Sequence, residues 1–438
     1  MSAYRQCWRL AWPLILANLS VPLLGLVDTA VVGHLPGAQH LAAVALGALV
    51  MSVLYFLFGF LRMGTTGLVG QALGAGDSNE VRAAPIRALL VAAAIGLSLV
   101  GAAPLVLRLA DLVFAPGPEV ATGLRTYLLI RLLGAPAALG SFVVLGWLMG
   151  MQDARGPLLL LVLTNALNAA LSVILVLALG LGVGGVALAT LIAEYVGLIA
   201  GLVLGALRWR ALQLRWPEWR LLLRADRFAR LLALNRDLFL RSLFLEAAFI
   251  AFAALGSRQG EVVLAGNAVL MTLFTTAAYG LDGFAHATEA LVARAVGARD
   301  VAAFREAVGA GFVLAAALAA AMTALFALGG TALIALLTDL EAVRRAAGTY
   351  LPYAALLPAV SVWAFLFDGV FFGATRTREL RNAMALSLLV FAGGAVVLVP
   401  AYANHGLWLA FLIFLAARAL FLGRTYWRAD VGAAFARG

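Results

Sequence analysis

Five carboxylates lie inside long apolar stretches of this sequence: Asp28, Glu246, Asp282, Glu289 and Asp368. A charge in an apolar medium is costly unless it is paired or protonated. Each is therefore a candidate for reversible proton or cation binding. Asp28 is the sharpest, within Val21-Pro-Leu-Leu-Gly-Leu-Val-Asp-Thr-Ala-Val-Val. An apolar setting favours the neutral acid, so such a group can take up and release a proton near neutral pH. Pro22, in the same stretch, removes a backbone donor and lets a helix bend beside the titrating group. The alternative is an aspartate that caps or hydrogen-bonds a neighbouring helix. Asn165, Asn168 and Ser172 fall at helical spacing, and Thr190 lies one turn before Glu194. These groups suit either a polar pocket around Asp28 or interhelical hydrogen bonds that hold a bundle together. Glu194 reads more readily as the latter.

In the second half, Glu246 sits in Leu243-Phe-Leu-Glu-Ala-Ala-Phe with Arg241 as the nearby charge, and Asp368 sits in Phe365-Leu-Phe-Asp-Gly-Val-Phe-Phe-Gly. Both are candidates for cation coupling. Asn267, Asp282, His286 and Glu289 share one predicted helix, and they form a candidate polar group facing a cleft. Arg62 is available to pair with one of these acids, which would make the pair structural. His34, His40 and His405 fall in predicted outer loops without metal-ligand spacing. Cys7 is the single cysteine, so neither an internal disulfide nor a thiolate metal cluster is expected. Gly180-Leu-Gly-Val-Gly-Gly lacks the Lys and Ser/Thr of a phosphate loop, and no nucleophile–base arrangement appears. Neither an enzyme nor ATP-driven work is expected, and no cofactor beyond a coupling ion, H+ or less readily Na+.

The elements that must carry these residues are set by composition. Hydrophobic residues make up 64% of the 438 positions and charged ones 12%, and mean hydropathy is +1.02. Lipid rather than water is the implied solvent. Apolar runs predict twelve spanning helices at about 8–32, 41–69, 82–109, 123–150, 157–180, 184–207, 231–255, 262–293, 302–336, 349–374, 380–400 and 404–424. The basic excess, net +10, falls mostly on alternate connections. That is the positive-inside pattern rather than a nucleic-acid surface, and it places both termini in the cytoplasm of a bacterial inner membrane. The first apolar segment lacks a small-residue cleavage site and is read as a retained helix. The arginine-rich stretch 208–230, with Trp209, Trp216 and Trp219, is read as an inter-lobe linker, suited to the headgroup region or simply to a tolerated basic loop.

The halves repeat. At a constant offset of 223 residues, Gly33 meets Gly256, Asp77 meets Asp300, Thr126-Tyr-Leu meets Thr349-Tyr-Leu, and Gly146 and Gly150 meet Gly369 and Gly373. Six helices per copy is an even number, so both copies have the same orientation and are related by an axis along the membrane normal. The expected architecture is all-α, with pseudo-symmetric six-helix lobes at 1–207 and 231–438 around a central cleft. The copies are not chemically equivalent, because Asp28 aligns with Ala251 and Arg62 with Ala285.

The stretch Trp12-Pro13 through Val21-Pro-Leu-Leu-Gly-Leu-Val-Asp-Thr-Ala-Val-Val-Gly-His resembles the first helix of the multidrug and toxic compound extrusion (MATE) family, in its DinF branch. Leu61-Arg-Met-Gly-Thr-Thr-Gly-Leu, Gln71-Ala-Leu-Gly-Ala, Leu234-Asn-Arg-Asp, Asn267-Ala-Val-Leu-Met-Thr-Leu, Leu281-Asp-Gly-Phe-Ala and Gly373-Ala-Thr-Arg agree with it. The likeness runs from about residue 8 to about residue 424. It implies a twelve-helix, two-lobed antiporter; the expected partners are its small-molecule substrates and the lipid bilayer, with the chain as a monomer. Such a protein expels amphipathic, often cationic, organic compounds by alternating access. The resemblance makes Asp28 the protonation site, with Asn168 and Thr190 lining its pocket. Relatives often carry an Asp where this chain has Ser172, and that departure favours a proton over a two-carboxylate Na+ site. Glu246 and Asp368 resemble second-lobe acids of the NorM branch. A flippase for lipid-linked precursors, of the same superfamily architecture, is the alternative; it would call for a more cationic cleft.

Overall fold

The structure is a computed structural model. It describes residues 2–33, 37–211, 222 and 224–428, with side chains described throughout except at 20–29, 38, 210 and 211. Asp28 and Pro22 are thus placed by backbone alone. His34, Trp216 and Trp219 lie outside the described residues, as do 212–221 and 223 of the expected linker.

Every element among the described residues is helical. The first unit comprises residues 19–231. It contains the end of α1 (Ala3–Gly33), α2 (Ala38–Phe58), α3 (Phe60–Gly74), α4 (Ser78–Gly101), α5 (Ala103–Phe114), α6 (Pro118–Leu133), α7 (Ala135–Gly150), α8 (Arg155–Ser172, continued by a π-helical turn Val173–Ala178) and α9 (Gly182–Ala211). The second unit comprises 232–438 together with residues 1–18. Its helices are α10 (Ala225–Ser257), α11 (Glu261–Gly297), α12 (Val301–Leu337), α13 (Glu341–Gly373) and α14 (Thr377–Arg428).

Nine of these stretches are long and apolar enough to cross a membrane, or ten when α6 and α7, bent by 47°, count as one. α14, at 52 residues, is two helices joined across Ala403, where φ is 50° and ψ −127°. With that division and α1, the chain has its twelve spans. Three expected single helices are broken: the second at Gly59, the third at Ala102 and the fourth at Gly134.

The repeat is written into the backbone. Left-handed residues recur at the same offset: Gly76 with Arg299, Gln152 with Thr375, and Gly180 with Ala403. Asp77 caps α4 by accepting from the backbone N–H of Glu80, and Asp300 caps α12 by accepting from that of Ala303. A Cβ at Gly146 would strike the carbonyl of Arg62, and one at Gly369 the carbonyl of Ala285. Gly150 likewise lies on the carbonyl of Thr66, and Gly373 on that of Glu289. Glycine is required at these positions because two helix backbones touch there. The Gly180–Ala403 pair carries the repeat beyond the four helices whose sequences align.

Helix α1 is divided between the units. Its first turns belong to the second unit: Trp8 packs on Phe284, with ring centroids 6.0 Å apart, and Asn18 donates to the carbonyl of Tyr279 at 3.2 Å. Val31 and Val32 at its other end are buried in the first unit with Met51, Tyr127 and Val186.

Candidate functional site

A cavity of about 400 Å³ opens among α2, α6, α7, α8 and α9 of the first unit. Its wall is apolar and aromatic, from Met51, Tyr55, Tyr127, Phe142 and Leu145, with Asn165, Asn168, Thr190, Arg131 and Glu194 interspersed. Apolar walls with a few convergent polar groups are the usual form of a small-molecule site.

The polar groups are placed by local sequence. One turn apart on α8, Asn165 and Asn168 both line the cavity. The side-chain amide of Asn168 donates to Thr190 Oγ1 at 2.7 Å, and that hydroxyl donates to the carbonyl of Val186 at 3.1 Å. Asn168 and Thr190 are thus joined by a hydrogen bond between α8 and α9. Ser172 is buried one turn further on, where α8 passes into its π-helical turn. Such turns widen a helix locally and recur at functional sites.

Opposite this pair, Arg131 Nη1 lies 2.9 Å from Glu194 Oε1, and its guanidinium lies over the Tyr55 ring at 5.7 Å. The α6–α7 break makes room for the pair. Pro136, at the start of α7, cannot donate to the previous turn. Ala137 N–H donates to the carbonyl of Gly134, which leaves the carbonyl of Leu133 to accept from the Tyr195 hydroxyl at 3.0 Å. A Cβ at Gly134 would run into Glu194 Oε2. Asn168 Oδ1, Glu194 Oε2 and the Tyr55 hydroxyl are buried without a hydrogen-bond partner among the described residues. Buried polar atoms in native proteins are nearly always satisfied, so these mark places for a ligand or for a side chain outside the description. Arg131 lies within α6, buried beside the bend. Tyr55 carried no sequence signal apart from its aromatic type.

The backbone of Asp28 lies one turn before Val32, which packs with Met51, Tyr127 and Val186. Met51 and Tyr127 also line the cavity.

The second unit holds its charges differently. Asp368 Oδ2 accepts from Arg241 and, at 2.8 Å, from Arg418, all three side chains being buried. Arg241 lies over Phe372 at 5.4 Å, and Arg418 over Phe365 and Phe414 at 5.8 Å. Asn267 and Asn404 exchange amide hydrogen bonds at 2.8 Å, and Trp408 Nε1 donates to Asn267 Oδ1 at 2.9 Å. This closed network holds α11 to the second half of α14. Glu246 is half-buried on α10, Asp282 and His286 are half-buried one turn apart on α11, and Glu289 is fully buried. Neither charged site is duplicated. At the constant offset Arg131 aligns with Ala354, Tyr55 with Ala278, and Asp368 with Leu145.

The MatE family model matches residues 13–174 and 238–397, once in each half of the chain. This chain belongs to the MATE family. It is 44% identical to the DNA damage-inducible protein F of Escherichia coli K12, covering 98% of this chain and 93% of that protein. It is 26% identical to a probable multidrug resistance protein NorM of Xanthomonas campestris, over 95% of this chain and 92% of that one. An outward-facing MATE transporter structure superimposes with a TM-score of 0.88 at 20% identity, covering all of this chain and 98% of that one. A MOP-superfamily transporter from Pyrococcus furiosus gives 0.87 at 21% identity, covering 99% and 97%. The MATE chain is thus a multi-pass membrane transporter of the DinF branch and not an enzyme.

Proposed function

We propose that this MATE protein is an efflux antiporter, exporting amphipathic and cationic organic compounds in exchange for H+ by alternating access. The carrying observation is the first-unit cavity. Its aromatic wall suits the apolar body of such a compound, and its unpartnered acceptors, Asn168 Oδ1 and Glu194 Oε2, suit an N–H donor or a cation. We assign the coupling proton to Asp28, whose helix packs by Val32 against residues of this cavity. Ser172 contributes no carboxylate, which leaves a Na+ site short of charge. Asn165, Asn168, Ser172 and Thr190 are the proposed pocket, and Pro22 the proposed bend. Glu246 and Asp368 are secondary coupling candidates; Asp368 is the weaker, because two guanidinium groups already neutralise it. Asn267, Asp282, His286 and Glu289 are the proposed second-lobe group. Family relatives named for multidrug resistance support the substrate class, and the positive-inside pattern supports cytoplasmic termini.

The flippase alternative is disfavoured by the arginines themselves. Arg131, Arg241 and Arg418 are each paired with a carboxylate, so they do not form an uncompensated cationic surface. The test is dye movement in proteoliposomes with H+ and Na+ gradients imposed separately. Transport of a cationic dye under the H+ gradient alone is expected. Transport under Na+ alone would assign the coupling ion otherwise, and movement under neither gradient would remove the antiporter reading.

A further inference from the structure

A second cavity lies outside the proposed transport machinery. It is a groove of about 1,070 Å³ on the second unit, bounded by α12, α13 and the last turns of α14. Stacked rings wall it. Phe304 lies on Tyr426 with centroids 6.4 Å apart and planes 17° apart, and Phe312 lies on Trp363 at 5.9 Å and 23°. Its floor is small: Gly309, Ala359, Ala416, Ala419 and Gly423. Its rim is open, with Leu420 70% and Trp427 78% exposed.

One end of the groove is charged. Arg305 follows Phe304, and Arg424 lies two residues before Tyr426, so the Phe304–Tyr426 stack brings both arginines to the same end. Among the described residues, none of those lining the groove is acidic. The corresponding positions of the first unit are arranged differently. At the constant offset, Arg305 aligns with Arg82, a buried residue that donates to the carbonyl of Ser78 at 2.8 Å. Trp363 aligns with Gly140, against which Leu198 of α9 packs, its Cδ1 3.0 Å from a Cβ built there. At these two positions the described residues of the first unit are packed, whereas those of the second line the groove.

We propose that this groove binds an anionic phospholipid, with an acyl chain along the aromatic wall and the phosphate between Arg305 and Arg424. The charge is complementary, and guanidinium groups match phosphate oxygens in geometry. Both arginines stand at the end of their helices that the arginine bias assigns to the cytoplasmic leaflet, where anionic headgroups and basic pockets between spanning helices meet. An open apolar channel continuing from a phosphate-sized charge fits a lipid better than a free anion.

The test is native mass spectrometry of the full chain released from vesicles of equal phosphatidylglycerol and phosphatidylcholine. The wild type is expected to retain phosphatidylglycerol over phosphatidylcholine by about tenfold, the scale two arginines near a membrane surface can supply. Arg305→Gln with Arg424→Gln should bring that ratio near one. Gly309→Phe keeps both charges but fills the groove, since a Cβ at Gly309 has no atom within 4 Å; it should lose the lipid as well. Equal retention of both lipids by the wild type would overturn the proposal. So would a preference that survives the arginine pair, or one that survives Gly309→Phe, which would mean general surface charge rather than a groove.

Discussion

Asp368 and Glu194 are carboxylates in the interior of helical bundles, and each is held by arginine. Removing one member of a buried ion pair strands the other, at a cost of about 3–5 kcal/mol. Asp368→Asn should therefore lower the unfolding temperature in detergent markedly, because it leaves Arg241 and Arg418 facing each other. Replacing all three with apolar residues of similar volume should recover most of the loss. An Asp368→Asn protein with wild-type unfolding but no transport would instead make Asp368 a coupling site. Cost was the signal that made these acids legible in the sequence, since a carboxylate in an apolar run needs a reason. Their partners were not legible. Arg241 and Arg418 lie 127 and 50 residues from Asp368, and no spacing rule links them.

At the scale of elements, helix identity followed from apolar run length, and all twelve expected helices are present. The breaks did not follow. Gly59 and Gly134 look in sequence like any glycine in a membrane helix; only the neighbouring helix shows why Gly134 is needed. Its would-be Cβ meets Glu194 Oε2, with the carbonyl of Arg131 at 3.1 Å. Gly134→Ala is expected to push Glu194 off Arg131, lowering both thermal stability and dye transport. Gly393→Ala is the contrast. It is helical and has nothing within 4 Å of its Cβ position, so it should gain about 0.5–1 kcal/mol from helix propensity. Equal unfolding temperatures for these two variants would deny the close approach at Gly134.

The whole molecule is a duplicated scaffold with unequal chemistry. The repeat predicts that Gly146→Ala and Gly369→Ala are equivalent lesions, because each Cβ meets a helix backbone carbonyl in its own unit. Both should destabilise by about 1–3 kcal/mol, as overpacked cores do. A silent Gly369→Ala would show that the second copy packs on different terms. The symmetry was readable from Gly, Asp and Tyr matches, because those residues mark turns, caps and backbone contacts that the fold must repeat. The asymmetry was readable only in part. Asp28 against Ala251 was visible in the alignment, whereas the cavity around Asn168 and the Arg131–Glu194 pair depended on which helices touch.

In the proposed mechanism Asp28 is the principal carboxylate that couples protons to export through the first-unit cavity. Its most direct test is dye transport by Asp28→Asn in proteoliposomes under an imposed H+ gradient, at matched protein incorporation. Gradient-driven transport should be abolished while the variant folds and still binds dye. Transport by Asp28→Asn at the wild-type rate would contradict it.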